Sequence, residues 1–166
     1  KTVTEHMAPL GVLFHIAAGN TDGFPVFSVI EGLLTGTINI LKLSVEEWGL
    51  TVRILTELFS IQPMLSEYVY VFDYSSKDVE VMQRLADLAD AVVVWGGIAA
   101  VKSVRELASP NTKIIEWGHK MSFAYVSGEN ISDEALRGLA ENICQTNQLL
   151  CSSCQGIFID TESMDK

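Results

Sequence analysis

Basic charge is scarce in this chain: 11 Lys and Arg stand against 21 Asp and Glu, a formal net charge of −10 over 166 residues. Nucleic acids and anionic membrane surfaces are both bound through clustered Lys and Arg, so this balance argues against either partner. Cysteine is scarce too. There are 3, an odd number, and two of them stand in Cys151-Ser-Ser-Cys154. That is not the disulfide framework of a secreted domain, and one CxxC without a second ligand pair is a poor zinc site, so no metal is expected. Long apolar runs are also missing. The greasiest stretch, Val26 to Leu43, is broken by Glu31, Gly32, Gly36 and Lys42, too often for a bilayer span. The opening Lys1-Thr-Val-Thr-Glu-His6 is polar and lacks the apolar centre of a secretion leader. These absences lead to the expectation of a cytoplasmic protein. Apolar content, by contrast, is ample at 48%, enough for one compact domain with a real core.

Strand and helix signals alternate along the chain. Gly11-Val-Leu-Phe-His-Ile-Ala17 is a β-branched and aromatic run ending at the Gly19-Asn20 turn. Pro25 fits the first turn of a helix to about Thr35, with Gly36 as its stop. Thr37 to Leu41 is a second strand; Ser44 with Glu47 three residues on then predicts a capping box and a helix carrying Trp48, Val52, Leu55 and Phe59. Tyr68 to Phe72 is a third strand. A helix from Ser76, as N-cap, to Leu88 presents Val79, Met82, Leu85 and Leu88 on one face. Ala91-Val-Val-Val-Trp95 is apolar throughout, as a strand covered by helices on both faces requires. Gly96-Gly97 opens a helix to about Leu107, and Lys113 to Trp117 is a fifth strand. After Phe123-Ala-Tyr-Val126, Ser132 caps a last helix, and Gly156 to Ile159 is a closing strand. The expected fold is a doubly wound α/β domain over residues 1–166, with a mostly parallel five-stranded, Rossmann-like sheet between helices.

The chemically informative segment is Gln148-Leu-Leu-Cys-Ser-Ser-Cys-Gln155, between the last helix and the last strand. A loop there can present a thiol, the strongest side-chain nucleophile near neutral pH. A lone cysteine before a strand is more often a small buried apolar residue, so Cys151 needs support from other motifs. Cys151 and Cys154 also allow a thiol–disulfide pair, although that motif ordinarily follows a strand and opens a helix. Cys144 lies mid-helix and is expected in the core. His15, within a strand, is expected to be a hydrogen-bonded core residue.

Several segments, in order, resemble the cofactor-binding half of the aldehyde dehydrogenase superfamily. They are Ile16-Ala-Ala-Gly-Asn20, Gly32-Leu-Leu-Thr-Gly36 through Lys42-Leu-Ser44, Ala91 to Gly97, Ile115-Glu-Trp-Gly-His-Lys120 and Asn147 to Gln155. Within the superfamily the chain is similar to the acyl-CoA reductase component of the bacterial bioluminescence fatty-acid reductase. The resemblance implies that Cys151 is the catalytic thiol and that Asn20 supplies the oxyanion-hole amide. It implies that Lys42 contacts the adenosine ribose or its 2′-phosphate, and that Gly96 and Gly97 receive the cofactor pyrophosphate. Glu116 takes the place of the superfamily's general base, with His119 as a rival. The sequence departs from the superfamily at Leu43, where proline is usual, at Gly97, where Ser or Thr is usual, and at Val101, where a later glycine is usual. Cys154 stands where the bioluminescence-type enzymes often have proline.

The implied activity is NADPH-dependent reduction of a long-chain acyl-CoA to a fatty aldehyde, with NADH as the other candidate reductant. Implied partners are an acyl-CoA or other acyl thioester, subunits of a fatty-acid reductase complex and further copies of the full-length chain. Such enzymes are considerably longer than this chain, so it is expected to lack part of the catalytic domain and to be inactive alone. Three alternatives stand beside this one. They are an aldehyde-oxidising or CoA-acylating dehydrogenase, a nucleotide-binding module without turnover, and a thiol–disulfide protein using Cys151 and Cys154.

Overall fold

A computed structural model describes residues 8–19, 22–45, 49–118, 120–127, 132–148, 150 and 152–160. The chain divides into two compact units, Lys1–Gly118 and His119–Lys166.

The first unit is built on strands β1 (Val12–Ile16), β2 (Ile38–Lys42), β3 (Val69–Phe72), β4 (Ala91–Trp95) and β5 (Lys113–Trp117). They lie in the order β3-β2-β1-β4-β5, and every neighbouring pair is parallel. Helices α1 (Pro25–Leu34), α2 (Leu50–Ile61), α3 (Val79–Asp87) and α4 (Ile98–Leu107) connect them, with a 3₁₀ turn at Pro63–Tyr68 before β3. The sheet is thus the expected parallel, doubly wound one.

Side chains alternate across a strand, so each strand feeds two cores. Phe14, Ile16, Ile40, Val92 and Val94 pack with Met82 and Leu85 of α3 and Val104 of α4. On the other face Leu41 and Val69 pack with Val26 and Val29 of α1 and Leu55 of α2. Each such apolar side chain stabilises the fold by roughly 1.5–3 kcal/mol relative to exposure. This two-sided burial explains why β4 reads as an unbroken apolar run.

Asp90 ties three strands together at their starting ends. Its carboxylate accepts the Val12 N–H at 2.8 Å. Its own N–H donates to the Val12 carbonyl at 2.9 Å, and its carbonyl accepts from the Lys113 N–H at 3.0 Å. The carboxylate fills the space beside Gly11, whose φ of +99° already favours glycine; a Cβ there would lie 2.1 Å from Asp90 Oδ2.

Two helix starts differ from the expected ones. α2 begins at Leu50 behind Gly49, which has φ 91°. Ser44 lies in the loop after β2, and the expected Ser44–Glu47 capping box cannot be placed because Glu47, like Trp48, falls outside the described residues. α3 begins at Val79, not after Ser76, because Asp78 caps it and accepts the Val81 N–H at 3.4 Å. In its expected apolar stripe, Met82 and Leu85 are buried, while Val79 and Leu88 at the two ends are exposed.

The second unit contains β6 (Ser122–Ser127), α5 (Asp133–Cys144), a 3₁₀ turn at Gln145–Gln148 and β7 (Cys154–Asp160). β6 and β7 pair in parallel, with a register irregularity at Ser122/Phe123. Ser132 caps α5 as expected, its hydroxyl accepting the Ala135 N–H at 3.2 Å. Cys144, expected in the core, is instead exposed at the last residue of α5. That helix buries none of its residues, and a thiol at its final position is not drawn beneath an apolar surface.

Candidate active site

The strand order reverses between β1 and β4, and ligands of such sheets bind beyond the carboxyl ends of the strands at that point. Gly96 and Gly97 follow β4 there. Gly97 is the N-cap of α4 with φ −73° and ψ 177°, extended backbone open to any residue. No side chain caps α4, and no acidic residue occupies its first turn. A Cβ on Gly97 would meet nothing within 4 Å, whereas one on Gly96 would sit 3.0 Å from Ala100 Cβ. Gly96 is therefore small because it packs against α4, and Gly97 is the residue whose missing side chain leaves room for a ligand. Uncapped N–H groups beside that room suit a phosphate.

An aromatic stack adjoins the turn. Trp95 and Trp117 are register partners on β4 and β5, and their rings stack at 5.0 Å and 10°. Phe24 meets Trp95 edge-on at 4.9 Å and 84°. The Gly96 N–H donates to the Trp117 carbonyl at 3.3 Å, so the glycine turn is pinned to the end of β5. This cluster was not legible in the sequence, since nothing in a strand-end tryptophan marks its partner.

Lys42 ends β2 and is 5% exposed, so it is not a solvated strand end. Burial holds its ammonium below the ordinary lysine value, and the negative charge of Asp73 opposes that effect. Glu116 on β5 receives Arg105 Nε of α4 at 2.6 Å, with the two side chains 30% and 63% exposed. The neighbouring helix thus engages the Glu116 carboxylate through an ion pair.

Beneath the stack runs a buried polar chain. Asn39 Nδ2 donates to the Thr37 carbonyl at 2.9 Å, which leaves Oδ1 to face His15 Nε2, also at 2.9 Å. Nε2 therefore carries the imidazole proton. His15 Nδ1 then accepts from the Ser28 hydroxyl at 2.7 Å, and the Ser28 oxygen accepts the Trp95 Nε1–H at 3.3 Å. His15 is the hydrogen-bonded core residue expected from its place in a strand; Ser28 and Asn39 carried no recognisable signal.

Burial lowers the His15 pKa, and the hydrogen bond to Asn39 only partly offsets this. Below about pH 6.5 the unfolded chain takes up a proton at this position that the folded chain refuses. Stability contributed by neutral His15 is therefore present above that pH and lost as pH falls toward the lowered folded value. Between about pH 7 and pH 5.5 the wild type should lose more stability than His15→Phe, by up to about 1 kcal/mol. Urea unfolding of both proteins at the two pH values measures this, and equal losses would refute it.

In the second unit, Ser153 and Leu150 bracket the segment that contains Cys151. The Ser153 N–H donates to the Leu150 carbonyl at 3.0 Å, and the Leu150 N–H donates to Ser153 Oγ at 3.2 Å. Gln148, just before, has φ 63°, a left-handed conformation unusual for a side-chain-bearing residue. Cys154 opens β7, is buried, and directs its thiol at the Gly156 carbonyl at 3.1 Å. Cys151, Asn20 and His119 lie outside the described residues. Among the described residues no group of three or more His, Cys, Asp and Glu could hold a metal ion, and no helix is long and apolar enough to cross a membrane.

Comparison with known proteins decides the family. The model of the family described as acyl-CoA reductase (LuxC) matches residues 1–166. The chain belongs to the acyl-CoA reductase (LuxC) family. Relatives of this LuxC-family chain include the long-chain acyl-protein thioester reductase of Photobacterium phosphoreum, 28% identical over 160 residues that make up 95% of this chain and 33% of that protein. The protein of the same name from Aliivibrio fischeri is 26% identical over 153 residues, 90% of this chain and 32% of that one. The LuxC-family chain thus spans about a third of the length of these relatives. Among solved structures, an aldehyde dehydrogenase from Bartonella henselae overlays it with a TM-score of 0.76 at 18% identity, covering 93% of this chain and 32% of the other. Betaine aldehyde dehydrogenase from Staphylococcus aureus, solved in complex with NAD+, gives 0.76 at 20% identity over 92% of this chain and 30% of its own. The fold is that of aldehyde dehydrogenases.

Proposed function

We propose that this LuxC-family chain carries the nucleotide-binding and thiol-bearing part of a reductase. Its substrate is a fatty acyl thioester, its product a fatty aldehyde, and its reductant a nicotinamide dinucleotide, NADPH in the first instance. The observation that carries this is the open space at Gly97, beside an uncapped helix start at the point where the strand order reverses. The family description names acyl-CoA, and the relatives' names specify acyl-protein thioesters. The chemistry is the same for both donors, because a thiolate attacks a thioester carbonyl.

In this reading Cys151 Sγ forms a bond to the acyl carbon while the bond from that carbon to the donor sulfur breaks. The donor thiol departs with the proton that Cys151 gave up. Negative charge gathers on the carbonyl oxygen during the exchange, and the Asn20 amide and the Cys151 backbone N–H serve as its donors. Gly96, Gly97 and Lys42 hold the cofactor's pyrophosphate and adenosine ribose. A nicotinamide dinucleotide, when bound, supplies the hydride that with a proton frees the acyl group as aldehyde and restores the thiol. Glu116 is proposed to assist the thiol. Its ion pair with Arg105 is partly solvated, so exchanging Arg105 for a thiol proton costs little. Hydride rather than water is to discharge the acyl-enzyme, and a carboxylate that activated water would divert it to fatty acid, so Glu116 is assigned to the thiol and not to a water.

The test is a side chain at the phosphate position. Gly97→Val should fold normally, since its backbone is extended and its Cβ meets open space. It should weaken NADPH binding by roughly tenfold or more, about 1.4 kcal/mol. Gly96→Val is the poorer probe because of Ala100. Calorimetry on the protein at its natural length checks the result; unchanged affinity in a folded Gly97→Val protein would move the cofactor elsewhere.

A further inference from the structure

We propose that His15 is a positioning residue: through Ser28 it holds the Trp95 indole, and with it the Trp117 stack and the glycine turn, in the orientation that receives the cofactor. The inference rests on the reading that Gly96 and Gly97 bind a nicotinamide dinucleotide. His15 itself is buried in β1 and reaches no ligand.

Each link of the chain is fixed by the one before it. Asn39 spends its N–H₂ on the Thr37 carbonyl and so offers only an acceptor to His15. That acceptor puts the imidazole proton on Nε2 and leaves Nδ1 as an acceptor, which takes the Ser28 hydroxyl proton. With its proton turned toward His15, the Ser28 oxygen presents lone pairs to Trp95 Nε1–H. A Ser28 hydroxyl without His15 can rotate, and the indole N–H then loses a partner of fixed direction. Trp95 immediately precedes Gly96, its ring lies on that of Trp117, and the Trp117 carbonyl holds the Gly96 N–H. A shift of the indole therefore reaches the turn by two routes, along the chain and through the stack. Ordinary core packing would need a large apolar group at position 15, and phenylalanine would meet that need; a directional hydrogen-bond chain needs the two ring nitrogens.

The experiment uses the protein at its natural length, labelled with ¹⁵N-tryptophan, with the Trp95 indole signal assigned by its loss in Trp95→Phe. The wild type should show a Trp95 N–H protected from solvent exchange. In Ser28→Ala and His15→Phe that resonance should shift and lose protection while thermal unfolding stays cooperative. NADPH affinity should fall several-fold in both. Ser28→Ala should cost no further affinity in a Trp95→Phe background, because the two changes act on one chain of contacts. A Trp95 resonance that does not move in folded Ser28→Ala overturns the proposal. So does a resonance that moves while NADPH affinity stays at the wild-type value, since the chain would then be structural only. If the wild type itself binds no NADPH although the Trp95 N–H is protected, the cofactor reading has failed and the hydrogen-bond chain stands without it.

Discussion

Replacing Cys151 with serine is expected to abolish the acyl-enzyme and to lower aldehyde formation by about 10³-fold or more, the scale seen when a covalent nucleophile is removed. The other thiols are unsuited to the task for different reasons. Cys154 is buried at the start of β7, with its sulfur turned to the Gly156 carbonyl. Cys144 is exposed at the end of α5, a helix that buries nothing. Incubation with radiolabelled acyl-CoA should therefore leave a hydroxylamine-labile label on the wild type, on Cys154→Ala and on Cys144→Ala, all at natural length, and none on Cys151→Ser. A labelled Cys151→Ser would refute the assignment, and loss confined to Cys154→Ala would transfer it to that thiol.

The second large effect concerns stability. Gly32→Ala should destabilise the protein by roughly 3 kcal/mol, although alanine is normally favoured over glycine within a helix by up to about 1 kcal/mol. A Cβ on Gly32 would lie 1.8 Å from Asn39 Oδ1 and 2.9 Å from its Cγ. Asn39 is fully buried and cannot swing aside without giving up Thr37 and His15. The substitution thus forces apart α1 and β2 or breaks a satisfied polar group in the core. Urea unfolding gives the magnitude, and in an Asn39→Ala background Gly32→Ala should cost markedly less. A single variant within 1 kcal/mol of wild type would show that the core yields more easily than its geometry indicates.

Gly32 also illustrates how far the sequence could be read. It belongs to one of the segments that resemble the aldehyde dehydrogenase superfamily, yet its reason lies in Asn39, seven residues on and across a helix–strand contact. Strand positions were legible because burial on both faces demands local apolar runs: Ala91–Trp95 and Lys113–Trp117 fall where the sequence puts them. Helix starts were less legible because Ser76 and Asp78 are both good caps in isolation, and the left-handed Gly49 before α2 has no local signature. At the candidate site, the glycine turn and Lys42 were visible as residue types. The division of labour between Gly96, packed on Ala100, and Gly97, facing open space, was not. The Trp95–Ser28–His15–Asn39 chain joins β4, α1, β1 and β2, and four separate elements leave no pattern in a linear sequence.

Asp90 has a consequence for synthesis on the ribosome. β1, β2 and β3 are all complete by Phe72 and can pair as soon as they emerge. The opposite edge of β1 gains its partner only when Ala91–Trp95 arrives, and Asp90 reaches back to Val12 just ahead of it. At translation rates of about 5–20 residues per second, the nascent protein carries a bare apolar edge on its future central strand for on the order of seconds. That interval is when the polypeptide is most open to wrong strand pairing; Asp90 begins to close it at Val12, and β4 completes the closure.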